Sequence, residues 1–477
     1  MAVNLWRTVF AGGSKPEVSL PQGIAYSLPH LGVWFLFAPL WQVIPGIYAK
    51  YFGLSLTAIA SAMLIARLFD AVIDPIIGRL SDVYRHKTGT RKPLIVIGGI
   101  CYSVSGYFLF VPNANVTSIY FLGWFFAFLV AWTLFEIPHI AWGGELTLET
   151  SEKTRIYGIR LSMGYLGLLL FYVVPFLPIF KTTAVTPETL RYSAIVAGLL
   201  MLPFLFICIK WVPDGHQEVD RSAGTGKSLP PIKDRVRLIF KSLVGNKSLL
   251  IFLGILVFSE TSNGMWYGLI FLYVDSYLGL GRQFAGMFLV GYAIGVIATP
   301  VWYRVSKPLG KRLTWGLATL LLVASYAYTA LLKPGTTSFL DLLTLKTMNT
   351  LGLVCVGLLG PSILSDIVDY GRWKFRVNNA GLYFAVYVFV VKAIKAVAGA
   401  MGLAIAGWYG FEPKAELHSH ASTYGLVLAA SWVPSICVLG SLIFIMLMPI
   451  NARRHAIICR RLKLNEERAV RLDRARL

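Results

Sequence analysis

Along this chain, apolar stretches of about 20 residues alternate with short polar connections, and each stretch is long enough to cross a bilayer. We read twelve spans, at 24–49, 56–80, 93–112, 117–143, 157–180, 192–212, 248–274, 284–305, 312–332, 343–364, 379–408 and 422–449. A lipid-facing backbone must satisfy its own hydrogen bonds, so each span is expected to be a helix and the fold class an all-α membrane protein. The connections alternate in charge. Those after spans two, eight and ten carry Arg85, Lys87, Arg91 and Lys92, then Arg304, Lys307, Lys311 and Arg312, then Arg372, Lys374 and Arg376. The connection "PNANVTS" after span three has no charge. Basic even-numbered connections predict a multi-pass protein of the plasma (bacterial inner) membrane with both termini cytoplasmic.

The longest connection divides the chain into an N-terminal cytoplasmic segment 1–23, six spans over 24–212, a central loop 213–247, six spans over 248–449 and a basic tail 450–477. Within the loop, Ile232, Val236, Ile239 and Leu243 share one face, the spacing of an amphipathic surface helix. The connections "GRLSDVYRHKTGTRKP" and "VWYRVSKPLGKRLTW" hold equivalent places in the two halves, a weak echo of a two-fold repeat.

Composition agrees: 56% of residues are hydrophobic and 14% charged. The net charge of +21 would suit nucleic acid, but its placement in alternate loops points to a cytoplasmic surface beside anionic lipid. The five cysteines are far apart and show neither metal spacing nor a disulfide framework. No structural metal and no cofactor are expected.

The informative residues are ionisable groups inside spans, which are costly there and usually face the bundle interior. In "RLFDAVIDP", Asp70 and Asp74 are four apart and share a face with Arg67. Taking Gly78 as the end of span two, Asp74 lies about 6 Å and Asp70 about 12 Å inside. Span four runs back, and "TLFEIPHIAWGG" places Glu136 at about 12 Å, with Thr133 on its face. Pro138 frees a carbonyl there. Carboxylates, a hydroxyl and a carbonyl suit a hard cation; the same acids, raised by burial and mutual repulsion, suit a proton. The competing reading is an internal salt bridge, which three acids against one arginine fit poorly. Lys392 and Lys395 in "VVKAIKA" lie about 20 Å into span eleven, Lys392 being the better placed to approach the acids. Glu260 and Asn263 in span seven either line a cavity or pack helices.

Together, "ARLFDAVIDPIIGRLSD…GTRKP", "FEIPHIAW", "SDIVDYGRWK" and "VVKAIKA" resemble the glycoside–pentoside–hexuronide:cation symporters, a branch of the major facilitator superfamily. The likeness runs through all twelve spans and implies two six-helix bundles, alternating access, and a small-molecule substrate moved with H+ or Na+ by a monomer. By this resemblance Asp70, Asp74, Thr133 and Glu136 form the cation site, Lys392 couples it, Glu136 and Arg67 also reach the sugar, and Arg160 matches a span-five arginine. Asp82 and Arg91, with Asp366, Asp369, Tyr370 and Arg376, match cytoplasmic gate motifs.

The departures concern substrate. Where the melibiose permease of that family has a Lys-Asp pair on span one, this chain has Val33 and Trp34; its stacking tryptophan is Ile140, with Trp142 nearby. An asparagine common between the two aspartates is Ile73, and a glutamate after "DYG" is Arg372. The expected cargo is a sugar or glycoside stacked on Trp34; the alternative, carried by some relatives, is a lysophospholipid or other amphiphile. No HExxH or GxSxG occurs in the spans, so an enzyme is not expected. The remaining class is a channel or sensor without coupled transport.

Overall fold

The computed structural model describes residues 18–113, 116–147, 150–215, 244–375, 380–415, 417–449 and six positions of the tail. The 232–243 amphipathic segment, Arg376 and most of the basic tail lie outside the described residues.

The chain is helical nearly throughout. The first half contains α1 (Leu20–Gln42), α2 (Ile44–Phe52), α3 (Leu56–Thr88), α4 (Lys92–Phe110), α5 (Ser118–Glu145), α6 (Thr150–Val173) and α7 (Pro187–Trp211). The second contains α8 (Lys247–Leu272), α9 (Gly281–Thr329), α10 (Phe339–Phe375), α11 (Ala380–Trp408), α12 (His420–Val427) and α13 (Val433–Leu447). Short polar caps start many of these helices. The Ser19 and Thr186 side chains form capping boxes, and Ser55, Thr117 and Asn246 accept from the first-turn backbone.

Two boundaries differ from the sequence reading. Span two does not end near Gly78: α3 continues to Thr88, closed by Gly89 at φ 77°. Its end projects past the bilayer, because polar and basic residues continue a helix in water as well as apolar ones do in lipid. Measured from the helix end at Thr88 rather than from Gly78, Asp70 and Asp74 lie about 27 and 21 Å along the helix, with their distance from the apolar boundary unchanged. The connection at 306–311 is not an open loop either. Helix runs into it from both sides and breaks at Gly310, whose φ of 77° and ψ of 156° turn the chain back. Lys346 of α10 meets Tyr292 on one arm of α9, and Leu345 accepts from Ser325 on the other, so the arms form a hairpin. Eleven helices are long and apolar enough to cross a membrane, and α9 holds two crossings, making twelve among the described residues.

The packing repeats. α1 packs on α6 and α7, α4 on α5 and α7, and α3 on α5. In the second half α8 packs on α11 and on α13, while α9 packs on α10 and α13. Adding six to each span number converts the first set into the second. The contacts between halves obey the same rule: span two meets span eleven (α3 with α11), span five meets span eight (α6 with α9), and span one meets span seven. This is a two-fold arrangement with an axis between the halves.

Candidate functional site

α3 brings three ionisable groups to the interface with the other half. Arg67 Nη1 lies 2.5 Å from Asp70 Oδ2, and its guanidinium stacks 4.2 Å over the ring of Trp41. Asp70 is buried. From α5, the Thr133 hydroxyl reaches both acids, 3.2 Å from Asp70 Oδ1 and 2.9 Å from Asp74 Oδ1. From α11 in the other half, Lys392 Nζ donates to Asp74 Oδ2 at 2.8 Å and lies 4.6 Å over Trp132.

One turn along α5, Glu136 belongs to a second group. Arg160 Nη2 of α6 donates to Glu136 Oε2 at 2.6 Å, and Arg160 Nε donates to His139 Nδ1 at 3.2 Å. His30 Nδ1 stands 3.8 Å from Glu136. Tyr26 stacks on His139 with centroids 4.3 Å apart, and its hydroxyl donates to the His139 carbonyl at 2.7 Å. α6 reaches this position through Gly167, where a Cβ would sit 2.1 Å from the Leu31 carbonyl oxygen.

These contacts correct the sequence reading in one respect. Three acids do not share one arginine. Each has its own base: Asp70 with Arg67, Asp74 with Lys392, Glu136 with Arg160. The three carboxylates therefore form two groups, one turn apart on α5, and with a base for each acid the count no longer speaks against the internal salt-bridge reading.

Other expected site residues are more scattered. Trp34 meets His30 and Phe37 edge-on, beside the Glu136 group. Trp142 is buried against the Glu136 group, edge-on to Tyr26 at 5.7 Å and to His139 at 6.2 Å, while its Nε1 donates to the Pro213 carbonyl at 2.9 Å and Lys92 covers its ring. Glu260 accepts from Asn263 Nδ2 at 3.2 Å within α8.

The two halves touch at mid-depth through Lys392, and again at the end away from the basic loops. There Lys50 Nζ lies 2.5 Å from Asp275 Oδ2, Gln42 Nε2 donates to Tyr292 at 3.1 Å, and Tyr172 donates to Gln42 and stacks on Phe288. At the basic end, Arg91 donates to Ser81 at 2.5 Å, Asp82 at 2.8 Å and Glu145 at 3.0 Å, and Arg85 also binds Glu145. Burial opposes the Arg91 charge, but the bonds from Glu145 and Asp82 outweigh it and hold the guanidinium above its ordinary range. In the second half Lys311 lies 2.7 Å from Asp366, the repeat-equivalent link. The rings of Tyr370 and Trp373 lie 6.0 Å apart and tilted by 38° on the helix that also carries Asp369.

The sequence reading missed His30, His139, Glu145 and Lys346. Three of them are ionisable residues inside spans, the same signal that marked Asp70. Glu145 sits at a span end, where a carboxylate reads as surface.

Comparison with known proteins agrees with this architecture. A sequence profile for the family described as MFS/sugar transport protein matches residues 25–452. The chain belongs to that family. It is 25% identical over 443 residues to the inner membrane symporter YicJ of Escherichia coli (strain K12), covering 90% of this chain and 92% of that protein. It is 24% identical to the lactose permease of Lactobacillus helveticus, covering 85% of this chain and 64% of that protein. The fold also matches the crystal structure of the nucleoside transporter NupG, with a TM-score of 0.64 at 12% identity over 91% of this chain and 100% of that one. This family member is an integral membrane transporter of the major facilitator fold and not an enzyme.

Proposed function

We propose that this transporter is a cation-coupled symporter carrying a sugar or glycoside by alternating access, the basic end being cytoplasmic. Asp70, Asp74 and Thr133 receive the cation, and Lys392 reports its presence to the other half. One observation carries this reading: Asp74 is bonded both to Thr133, which also holds Asp70, and to Lys392 across the interface. A cation arriving at the aspartates competes with the ammonium for Asp74, so loading the site loosens a contact between halves. The arrangement described, touching at the far end, corresponds to the state facing the cytoplasm.

Of the two ions, the proton fits better. The two carboxylates and Thr133 could ligate a hard cation, but Arg67 and Lys392 already hold an oxygen of each acid and Ile73 adds none, which leaves less room for a metal ion than for a proton. Glu136, Arg160, His30 and Trp34 flank the cargo. The aromatic run from Trp34 through Phe37 to Trp41 and Trp132 favours a cargo with an apolar portion, an aglycone or, as a second reading, an amphiphile.

A ligand that binds the native state raises its melting temperature. The test pairs the melting temperature of purified protein on adding Na+ or Li+ at fixed pH with solute uptake in liposomes under an imposed proton gradient. We expect no stabilisation by either metal ion, proton-driven uptake in wild type, and loss of that uptake in Asp74→Asn. Stabilisation by Na+ that Asp74→Asn removes would contradict the proton, and proton-driven uptake that survives in Asp74→Asn would contradict the site.

A further inference from the structure

Asp70, Asp74 and Glu136 are each bonded by a base of their own, and Glu260 of α8 is not. Its bond is to a neutral group, Asn263 Nδ2 at 3.2 Å, and no cationic side chain lies within ion-pairing distance of it among the described residues. Tyr267, Tyr326 and Tyr387 stand within electrostatic reach of it, and none of them supplies a positive charge. An ionisable group inside a span is costly to keep, so an unpaired one calls for a use.

The packing of α8 on α11 indicates which use. Both helices run away from the basic end, and three contacts fix their register. The rings of Phe252 and Tyr387 lie 6.0 Å apart, a Cβ on Gly264 would sit 2.4 Å from the Lys395 carbonyl oxygen, and one on Gly268 would sit 3.1 Å from that of Gly399. Glu260, Gly264 and Gly268 are spaced four apart and share that stripe of α8. The register sets Glu260 opposite the turn of α11 between Tyr387 and Lys395, and Lys392 is rooted on that turn. Counting from the helix starts gives the same level, about 20 Å along α8 for Glu260 and about 18 Å along α11 for Lys392.

Lys392 is thus rooted at the level of two carboxylates in different halves: Asp74, which it holds at 2.8 Å, and Glu260, which has no base. When Asp74 is neutralised the ammonium loses its counter-charge, and a charge left unpaired in the interior is strongly destabilising. Asp70 is taken by Arg67 and Glu136 by Arg160.

We propose that Glu260 receives the Lys392 ammonium when loading of Asp74 releases it, so that one lysine exchanges a bond between halves for a bond within the second half. Glu260 is then a positioning residue, acting on the coupling cation only through Lys392. The proposal rests on the cation-coupled reading and adds to it the step that parts the halves without stranding a charge. Lys395, three residues nearer the outer end and also without a carboxylate among the described residues, is the rival claimant for Glu260.

The test is a set of melting temperatures for the full-length purified protein, with Asp74→Asn standing for the loaded site. Glu260→Gln should shift the melting temperature little in wild type, where Lys392 is on Asp74. In Asp74→Asn the same change should lower it by several degrees more, because the ammonium then has neither acid. Adding Lys392→Met should recover that excess, and adding Lys395→Met should not. A double variant too unstable to purify that Lys392→Met rescues is the same result. The rescue separates the transfer from a packing role for Glu260, which would cost the same in every background. Equal shifts in wild type and Asp74→Asn, an excess that persists with Lys392→Met, or one that Lys395→Met removes would overturn the proposal. The liposome assay reads coupling separately. Uptake indifferent to the proton gradient, beside the predicted melting temperatures, would contradict coupling and leave the transfer standing; gradient-driven uptake with equal shifts would overturn the transfer alone.

Discussion

Lys392 Nζ lies 2.8 Å from Asp74 Oδ2, joining residues 318 positions apart in sequence and in opposite halves of the molecule. Removing the lysine therefore removes a mid-depth link between halves. Lys392→Met should populate states in which the halves part. The probe is a cysteine at Gln42, which is buried between halves here, in an otherwise cysteine-free protein. Its labelling by a thiol reagent should accelerate severalfold in Lys392→Met, and an unchanged rate would contradict the link.

Glu136 and Arg160 are both nearly buried, so breaking the pair is costly and deleting it is not. Glu136→Gln strands the guanidinium and should cost about 3–5 kcal/mol. Glu136→Gln with Arg160→Met should recover most of that. The melting temperatures should rank wild type near the double variant, with the single variant well below both.

Gly167 and Gly158 lie on the same helix with opposite surroundings. A Cβ at Gly167 collides with the Leu31 carbonyl, whereas one at Gly158 meets nothing within 4 Å. Gly167→Val should destabilise by about 1–3 kcal/mol through overpacking. Gly158→Ala should be neutral or stabilising by up to about 1 kcal/mol from helix propensity. Thermal denaturation of both variants checks this.

At the basic end, Glu145 serves both Arg85 and Arg91, while the Asp82 side chain is 65% exposed. Glu145→Gln should lower the melting temperature distinctly. Asp82→Asn should do little, as exposed ion pairs contribute about 0–1 kcal/mol. The reverse order would contradict the view that Glu145 anchors this end.

How far the sequence was legible depended on distance along the chain. Span number and the shared face of Arg67, Asp70 and Asp74 follow from helical periodicity, a local property. The charge of Lys392 was visible, but not its choice of Asp74 over Glu136, because that depends on how two halves dock. The same blindness hid Arg160's hold on Glu136 and produced the expectation of one three-acid cluster. Trp142 was legible only as an aromatic residue near Glu136; that it lies against Tyr26 and His139 with its indole N–H turned to the Pro213 carbonyl depends on how the helices pack. The end of α3 was misplaced because hydropathy marks where lipid stops, and the helix continues through Arg85 to Thr88.

In the proposed mechanism, cation loading of Asp70 and Asp74 drives uptake. This is tested by solute uptake by purified protein in liposomes under imposed proton and sodium gradients, with wild type, Asp70→Asn and Asp74→Asn. We predict uptake that requires the proton gradient in wild type and collapses to background in both variants. Undiminished flux without a gradient, or accumulation that persists in both variants, would contradict the account.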